Sequence, residues 1–275
     1  GGSAGREGAA LQLGGSIGYK FGKLFRLDEK EMRLIVMLGM SGMFAALFGT
    51  PLTATFFALE VISVGVIYYV GLIPCIGSAL VAYKLALFFG SRPEAFHIAD
   101  YVPKLNIISV AQTAALAALC AFVSIIFCIA MKYVHFKLKV TFNNTFFRAF
   151  VGGCIIILLT LLIGNQDYNG AGSNIIANAL EQGQAHWYSF ALKIVFTAIT
   201  IGAGFKGGEI VPTFCIGATF GCVVGGLIGI PPSFGAALGL IGVFCGVTNA
   251  PIASIFMAVE IFGNEGFVFF AINRV

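Results

Sequence analysis

Apolar runs long enough to cross a lipid bilayer follow one another along this chain, and glycine or proline interrupts several of them. Of the 275 residues, 59% are hydrophobic and 10% are charged, whereas about a quarter of the residues in soluble domains are charged. A single water-soluble core cannot hide this much apolar surface, but a bilayer provides an apolar solvent for it. The sequence therefore predicts an all-α, polytopic helical membrane protein.

The chain is divided by a polar interval, residues 91–106, which we interpret as a linker. We expect residues 1–90 to form a first, partial membrane bundle and residues 107–275 to form a second bundle that is truncated at its C-terminus. Within the first bundle, Gly49-Thr50-Pro51 separates two apolar stretches that are each too short to cross a bilayer alone. This pattern predicts broken and re-entrant helices.

An internal repeat relates the two halves of the chain. The stretch GMSGMFAALFGTPLTATFFALEV, residues 39–61, matches GLIGVFCGVTNAPIASIFMAVEI, residues 239–261, with shared glycine, phenylalanine, proline and glutamate positions 200 residues apart. Two homologous halves with short, interrupted helices in matching positions are typical of secondary transporters and channels. We therefore predict an inverted-repeat architecture.

Each half also begins an apolar helix with glycines and a charge. The first entrance is GREGAALQLGGSIG, residues 5–18, and the second is GGEIVPTFCIGATFG, residues 207–221. A helix that starts inside the bilayer presents unpaired amide N–H groups and a positive dipole end, which stabilise an anion. Because glycine has no side chain, the backbone can approach the ion directly. We expect both entrances to face one anion site.

Glu7 lies where a substrate anion would otherwise bind, at the start of the first of these helices. Its carboxylate is then a tethered competitor that leaves the site when it is protonated, which links anion movement to protons. Arg6 either cancels part of the charge or faces a polar vestibule. The alternative interpretation is that Arg6 and Glu7 form an interfacial helix cap.

At these two motifs the chain resembles the CLC family of chloride channels and proton-coupled anion antiporters. GREG is similar to the family signature G-[KR]-E-G-P, with Ala9 in place of proline, and GGEIVP resembles the signature G-G-x-F-x-P. The resemblance implies that Glu7 is the gate and that backbone groups of the two motifs bind the anion. The implied anion-binding residues are Gly5, Arg6, Gly8, Gly207, Gly208, Ile210, Val211 and Pro212.

Glu209 is an acid where most chloride-type members carry an apolar residue. Together with the stretches FKGGE, NQDYNG and GTPL, it makes the chain look most like the bacterial fluoride/proton branch, in which this position is associated with selectivity or proton coupling. The alternative is a carboxylate that caps the next helix. Val61 occupies the position of the second proton glutamate of many chloride antiporters, so the resemblance implies that this proton path is absent here. The fluoride branch and chloride channels also lack this glutamate.

The resemblance further implies two family elements outside the present sequence. The earlier selectivity loop is expected before Gly1, and the late tyrosine that closes the inner site is expected after Val275. Without these elements we expect this stretch of chain to form an incomplete pore.

The implied partners are a fluoride or chloride ion, protons, the lipid bilayer and a second copy in a homodimer, in the bacterial inner membrane. We expect no enzymatic activity, cofactor, metal site or nucleic-acid binding. Glu60 and Glu260, at equivalent helix ends, are interpreted as structural groups that satisfy neighbouring backbone or hydroxyl donors, in preference to a proton or cation site. A passive chloride channel and a non-transporting membrane scaffold are the rival functions.

Overall fold

The computed structural model describes residues 2–62, 68–91, 96, 98 and 102–273. Much of the predicted linker at residues 91–106, including His97, therefore lies outside the described residues. Within the described residues, regular secondary structure is helical, with one isolated β-bridge besides. The all-α prediction is confirmed.

The described residues form twelve α-helices and one 3-10 turn. The helices of the first part of the chain are α1 (Glu7–Leu24), α2 (Glu29–Phe48), α3 (Pro51–Val61) and, after the 3-10 turn Tyr69–Gly71, α4 (Leu72–Phe88). The helices of the second part are α5 (Ile107–Thr141), α6 (Thr145–Ile163), α7 (Ser173–Glu181), α8 (Ser189–Gly202), α9 (Ile210–Leu227), α10 (Pro232–Thr248), α11 (Pro251–Phe262) and α12 (Phe267–Ile272).

Five helical stretches among the described residues are long and apolar enough to cross a membrane: Glu29–Phe48, Tyr69–Phe88, Ile107–Thr141, Thr145–Ile163 and Ile210–Leu227. Four other apolar helices, α3, α8, α10 and α11, are shorter. The short helices α3 and α11 both begin at the repeat's proline, Pro51 after Gly49-Thr50 and Pro251 after Asn249-Ala250, because proline is well tolerated in the first turn of a helix. The prediction of a helix too short to span alone is confirmed for the stretch after Gly49, which forms α3. It is wrong for the stretch before Gly49, because the Asp28 capping box starts α2 at Glu29 and makes this helix long enough to cross.

The chain folds into two compact units, each drawn from more than one part of the sequence. Unit 1 contains Gly1–Arg6, His97–Val247 and Val268–Val275. Unit 2 contains Glu7–Phe96 and Thr248–Phe267. The units therefore alternate along the chain. The assignment of residues 1–90 and 107–275 to two repeat-related bundles stays a prediction.

In unit 2, helices α1 and α2 approach so closely that their backbones touch. A Cβ atom added to Gly14 would overlap the carbonyl group of Gly39, and one added to Gly18 would overlap the carbonyl group of Ile35. Small residues permit such close contacts between membrane helices. In the same unit, Phe56 of α3 stacks on Phe256 of α11 with ring centroids 4.5 Å apart.

Unit 1 repeats this arrangement with α9 and α10. A Cβ atom added to Gly217 would overlap the carbonyl group of Gly239, and one added to Gly221 would overlap the carbonyl group of Gly235. Gly217 and Gly221 correspond to Gly14 and Gly18 of the first entrance, 203 residues earlier, and Gly239 and Gly235 correspond to Gly39 and Ile35, 200 residues earlier. The repeat therefore preserves a helix-pair contact as well as a sequence pattern.

Candidate functional site

The two motifs are joined to each other just ahead of their helices. Gly5 and Gly208, both in unit 1, form an isolated antiparallel bridge. The amide of Gly5 donates to the carbonyl oxygen of Gly208 at 2.8 Å, and the amide of Gly208 donates to that of Gly5 at 2.7 Å. Gly5 lies two residues before α1, and Gly208 lies two residues before α9.

This bridge changes the expected role of the glycines. Since Gly5 and Gly208 donate their amides to each other, these N–H groups are not the ones left to hold an anion. Gly207 packs against Ala4, the residue that precedes the first motif. A Cβ atom added to Gly207 would overlap the Cβ atom of Ala4. The glycines therefore bring two backbone segments into contact.

The first turn of α9 supplies the remaining donors of the second motif. Ile210 and Val211, the first two residues of this helix, are 7% and 2% exposed. They precede the first backbone hydrogen bond of the turn, in which Thr213 donates to Glu209 at 2.9 Å. Pro212 has no N–H group, so it shapes the turn and cannot donate to an anion. The amides of Ile210 and Val211 are the candidate anion ligands here.

Glu7 is the first residue of α1 and is buried, with 5% of its surface exposed. Its position places a carboxylate at the positive end of the helix, as the sequence predicts. Arg6 is exposed and Gly8 is half-buried. The chain passes from unit 1 to unit 2 between Arg6 and Glu7.

Glu209 is the N-cap residue of α9, but its side chain makes no capping hydrogen bond. The alternative interpretation of Glu209 as a helix cap is therefore wrong. Its side chain instead lines a cavity of about 310 Å³ in unit 1. The other lining residues are Phe127, Cys128, Met131, Lys132, His135, Ile201 and Val247.

Glu60 and Glu260 each cap the other's helix within unit 2. The Glu260 carboxylate accepts from the amides of Leu52 and Thr53 at 2.9 and 2.8 Å, at the start of α3. The Glu60 carboxylate accepts from the amides of Ile252 and Ala253 at 3.1 and 2.9 Å, at the start of α11. The structural interpretation of this pair is confirmed.

One buried cation was missed by the sequence reasoning. Lys193 of α8 is fully buried, and its ammonium group donates to the carbonyl oxygens of Tyr168 and Gly170 at 3.1 and 2.9 Å. Gly170 in turn donates to the carbonyl oxygen of Gly2 at 2.9 Å. The sequence does carry an indication of this role, because an ionisable residue inside an apolar membrane helix usually faces the protein interior and pairs with polar groups there.

Lys193 belongs to a polar stripe on one face of α8, formed by Ser189, Lys193, Thr197 and Thr200. Thr200 accepts from the amide of Ser3 at 2.9 Å, and the hydroxyls of Thr197 and Ser3 lie 3.1 Å apart. Ser189 and the hydroxyl of Tyr168 lie 2.9 Å apart. Burial raises the pKa of this tyrosine, so the hydroxyl stays protonated. The stripe therefore anchors the segment that leads into the first motif.

Broken apolar helices, paired close contacts in two repeats and glycine-rich helix entrances together define a helical membrane protein of the transporter or channel class. The family model described as "Voltage gated chloride channel" matches residues 1–272. The chain belongs to this family.

Individual relatives agree. The chain is 35% identical over 271 residues to the "Chloride/fluoride channel protein" of Pseudomonas syringae pv. tomato, covering 96% of this chain and 60% of the relative. It is 24% identical to the "H(+)/Cl(-) exchange transporter ClcA" of Vibrio cholerae, covering 94% of this chain and 58% of the relative. The chain thus spans about 60% of the length of these curated relatives.

Among solved structures, the chain superposes on the crystal structure of a CLC-type fluoride/proton antiporter with a TM-score of 0.95 and 35% sequence identity. The match covers 100% of this chain and 69% of that protein. The predicted family and fold are confirmed, and the chain is part of an integral membrane protein.

Proposed function

We propose that the full-length protein exchanges a halide ion, fluoride in preference to chloride, for protons across the membrane. The observation that carries the proposal is the reciprocal bridge between Gly5 and Gly208, which joins the backbone ahead of the two helix entrances. Two residues of chain span at most about 7 Å. Glu7 therefore lies within about this distance of Gly5, and Ile210 within about this distance of Gly208.

In this mechanism the amides at the start of α9, from Ile210 and Val211, stabilise the anion together with the dipole of that helix. The buried carboxylate of Glu7 competes for the same position while it is ionised. Protonation removes its charge and its attraction to the helix dipole, so the side chain gives way to a free anion. Anion movement and proton movement are then linked through one residue.

The choice of fluoride and of proton coupling is supported by Glu209 and by the relatives. The Pseudomonas protein is named for chloride and fluoride, and the structure with a TM-score of 0.95 is that of a fluoride/proton antiporter. Glu209, which makes no capping bond, is proposed as the second proton-handling or selectivity group. A homodimer in the bacterial inner membrane is proposed from the family resemblance.

The test is transport by the full-length protein in liposomes loaded with fluoride, with fluoride efflux and proton uptake recorded in the same vesicles. Fluoride efflux should drive proton uptake in the wild-type protein. Glu7→Gln, which cannot be protonated and deprotonated, should abolish the coupled proton flux.

The matched control is Glu29→Gln, because Glu29 is also the first residue of a helix but is exposed. An unchanged proton-to-halide ratio in Glu7→Gln would refute the gate assignment. Wild-type anion flux without protons would identify a passive channel, and no ion flux at all would favour a scaffold.

A further inference from the structure

The cavity beside Glu209 presents several titratable groups from a single face of α5. Cys128, Lys132 and His135 are spaced at four and three residues along this helix, so their side chains lie above one another on one face. Glu209 lines the same cavity from the residue before α9. The remaining walls are apolar.

Close packing between α5 and the end of α8 sets the position of His135. A Cβ atom added to Gly202, the last residue of α8, would lie 2.9 Å from Cγ1 of Val134 and 3.2 Å from the backbone nitrogen of His135. The chain then runs from Gly202 to Glu209 in seven residues. Tight contact at Gly202 therefore brings the imidazole to the cavity that Glu209 lines.

The cavity lies near the end of the apolar part of α5. Residues 107–131 carry no charged side chain, and at about 1.5 Å per residue they extend about 37 Å, more than the roughly 30 Å of a hydrocarbon core. Lys132 and His135 follow directly and are exposed. These two residues are therefore positioned where α5 leaves the hydrocarbon region and meets water.

The cavity can hold a chain of water molecules. Its volume is about 310 Å³, and one water molecule occupies about 30 Å³ in the liquid. Within the described part of the chain, the side chains of Lys132, His135 and Glu209 make no hydrogen bonds to one another. They are available to water in the space between them.

The charges of the lining favour protons over anions as the species that uses the cavity. Lys132 brings one positive charge and Glu209 one negative charge, so these two residues give an anion no net attraction. A carboxylate, an imidazole and water are in contrast groups that accept and donate protons in turn. Histidine is also the side chain that changes its charge between about pH 5 and pH 8.

We propose that protons reach Glu209 through this cavity and that His135 is the residue that passes them on. This inference rests on the proposed proton-coupled function and adds the route. The imidazolium of His135 gives a proton from one ring nitrogen to a cavity water, and that water gives a proton to the carboxylate of Glu209. The neutral imidazole then takes a proton from a hydronium ion in the bulk solvent, which leaves neutral water and regenerates the imidazolium.

Other charged and titratable groups line this cavity or belong to the segments that adjoin it. Cys128, Lys132 and Glu209 line the cavity with His135. Lys139 lies four residues beyond His135 on α5, Arg148 of α6 donates to the carbonyl oxygen of Ala203, and Lys206 lies three residues before Glu209.

The experiment uses the full-length protein in fluoride-loaded liposomes and the variants His135→Ala and His135→Gln. In His135→Ala, coupled fluoride and proton fluxes should fall about tenfold, less than the loss of 10²–10⁴ usual for general acid–base groups, because water still reaches Glu209. Imidazole in the buffer should restore the His135→Ala fluxes by entering the space left by the side chain. In His135→Gln the fluxes should fall without rescue, because glutamine fills that space.

The control is His186→Ala, which removes an exposed histidine elsewhere in unit 1 and should change nothing, with or without imidazole. Wild-type fluxes in His135→Gln, or a slow His135→Ala variant that imidazole does not accelerate, would overturn the proposal. If wild-type protein moves fluoride without protons, the proposed function itself fails. Coupled wild-type transport with unaffected His135 variants removes only this route.

Discussion

At the scale of single residues, the two glycine-rich motifs combine a backbone contact with the amides that we propose as anion ligands. Gly5 and Gly208 use their amides on each other, while Ile210 and Val211 begin a helix with buried amides. The sequence predicts the motif as a whole, because glycine, charge and helix start can be read locally. Which amide meets which partner depends on a contact between residues about 200 positions apart.

Lys193 illustrates a residue whose role follows from its surroundings alone. Replacing it with methionine removes the donor from one buried and one partly buried carbonyl group, which should cost about 1–3 kcal/mol of unfolding free energy. We expect Lys193→Met to lower the thermal unfolding midpoint in detergent and to slow halide transport, since the anchor of the segment before Glu7 is lost.

Lys84→Met is the control for this substitution, because Lys84 is an exposed lysine on α4. Its unfolding midpoint and transport rate should equal those of the wild type. Equal midpoints for Lys193→Met and wild type would show that the carbonyl groups find other donors at no cost.

At the scale of elements, helices α3 and α11 are stabilised by each other's glutamate. Each carboxylate sits at the positive end of the partner helix and accepts two amide donors there. The sequence repeat predicts that Glu60 and Glu260 are equivalent. It does not show that they are exchanged between helices, since that depends on how α3 and α11 cross at Phe56 and Phe256.

Removing either cap should destabilise unit 2. Glu60→Ala and Glu260→Ala should each lower the free energy of unfolding by about 0.5–2 kcal/mol, the usual cost of losing an N-cap. Glu260→Ala should have the larger effect, because Glu260 also accepts from the hydroxyl of Thr53 at 2.7 Å. Denaturant unfolding of the full-length protein measures the difference, with the exposed Glu265→Ala as control. A smaller effect in Glu260→Ala than in Glu60→Ala would contradict the ranking.

At the scale of the whole molecule, the two units alternate along the chain, and each unit contains residues from both halves of the sequence. Residues 1–6 belong with unit 1, while residues 248–267 belong with unit 2. The N-terminal part of the chain thus needs α11 to cap α3, and the C-terminal part needs Gly5 to pair with Gly208. Folding therefore requires contacts of very high sequence separation.

Cutting the full-length protein within residues 91–106 tests this interdependence. Co-expressed halves should associate and purify together, whereas each half expressed alone should aggregate or be degraded, because its buried polar groups lack partners. Affinity purification through a tag on one half, followed by circular dichroism, gives the result. A monodisperse, helical N-terminal half purified alone would contradict the prediction.

The sequence by itself determined the membrane environment, the helical class, the repeat and the family, because hydrophobicity, glycine and proline interruptions and helix-start motifs are local properties of the chain. Only the tertiary structure decided that Gly5 pairs with Gly208, that Lys193 holds the loop before α7, and that Glu209 shares a cavity with His135. The physical reason is that backbone amides, ammonium groups and carboxylates form hydrogen bonds with whichever donor or acceptor the folded chain brings near them. The hydropathy of the sequence does not specify which partner that is.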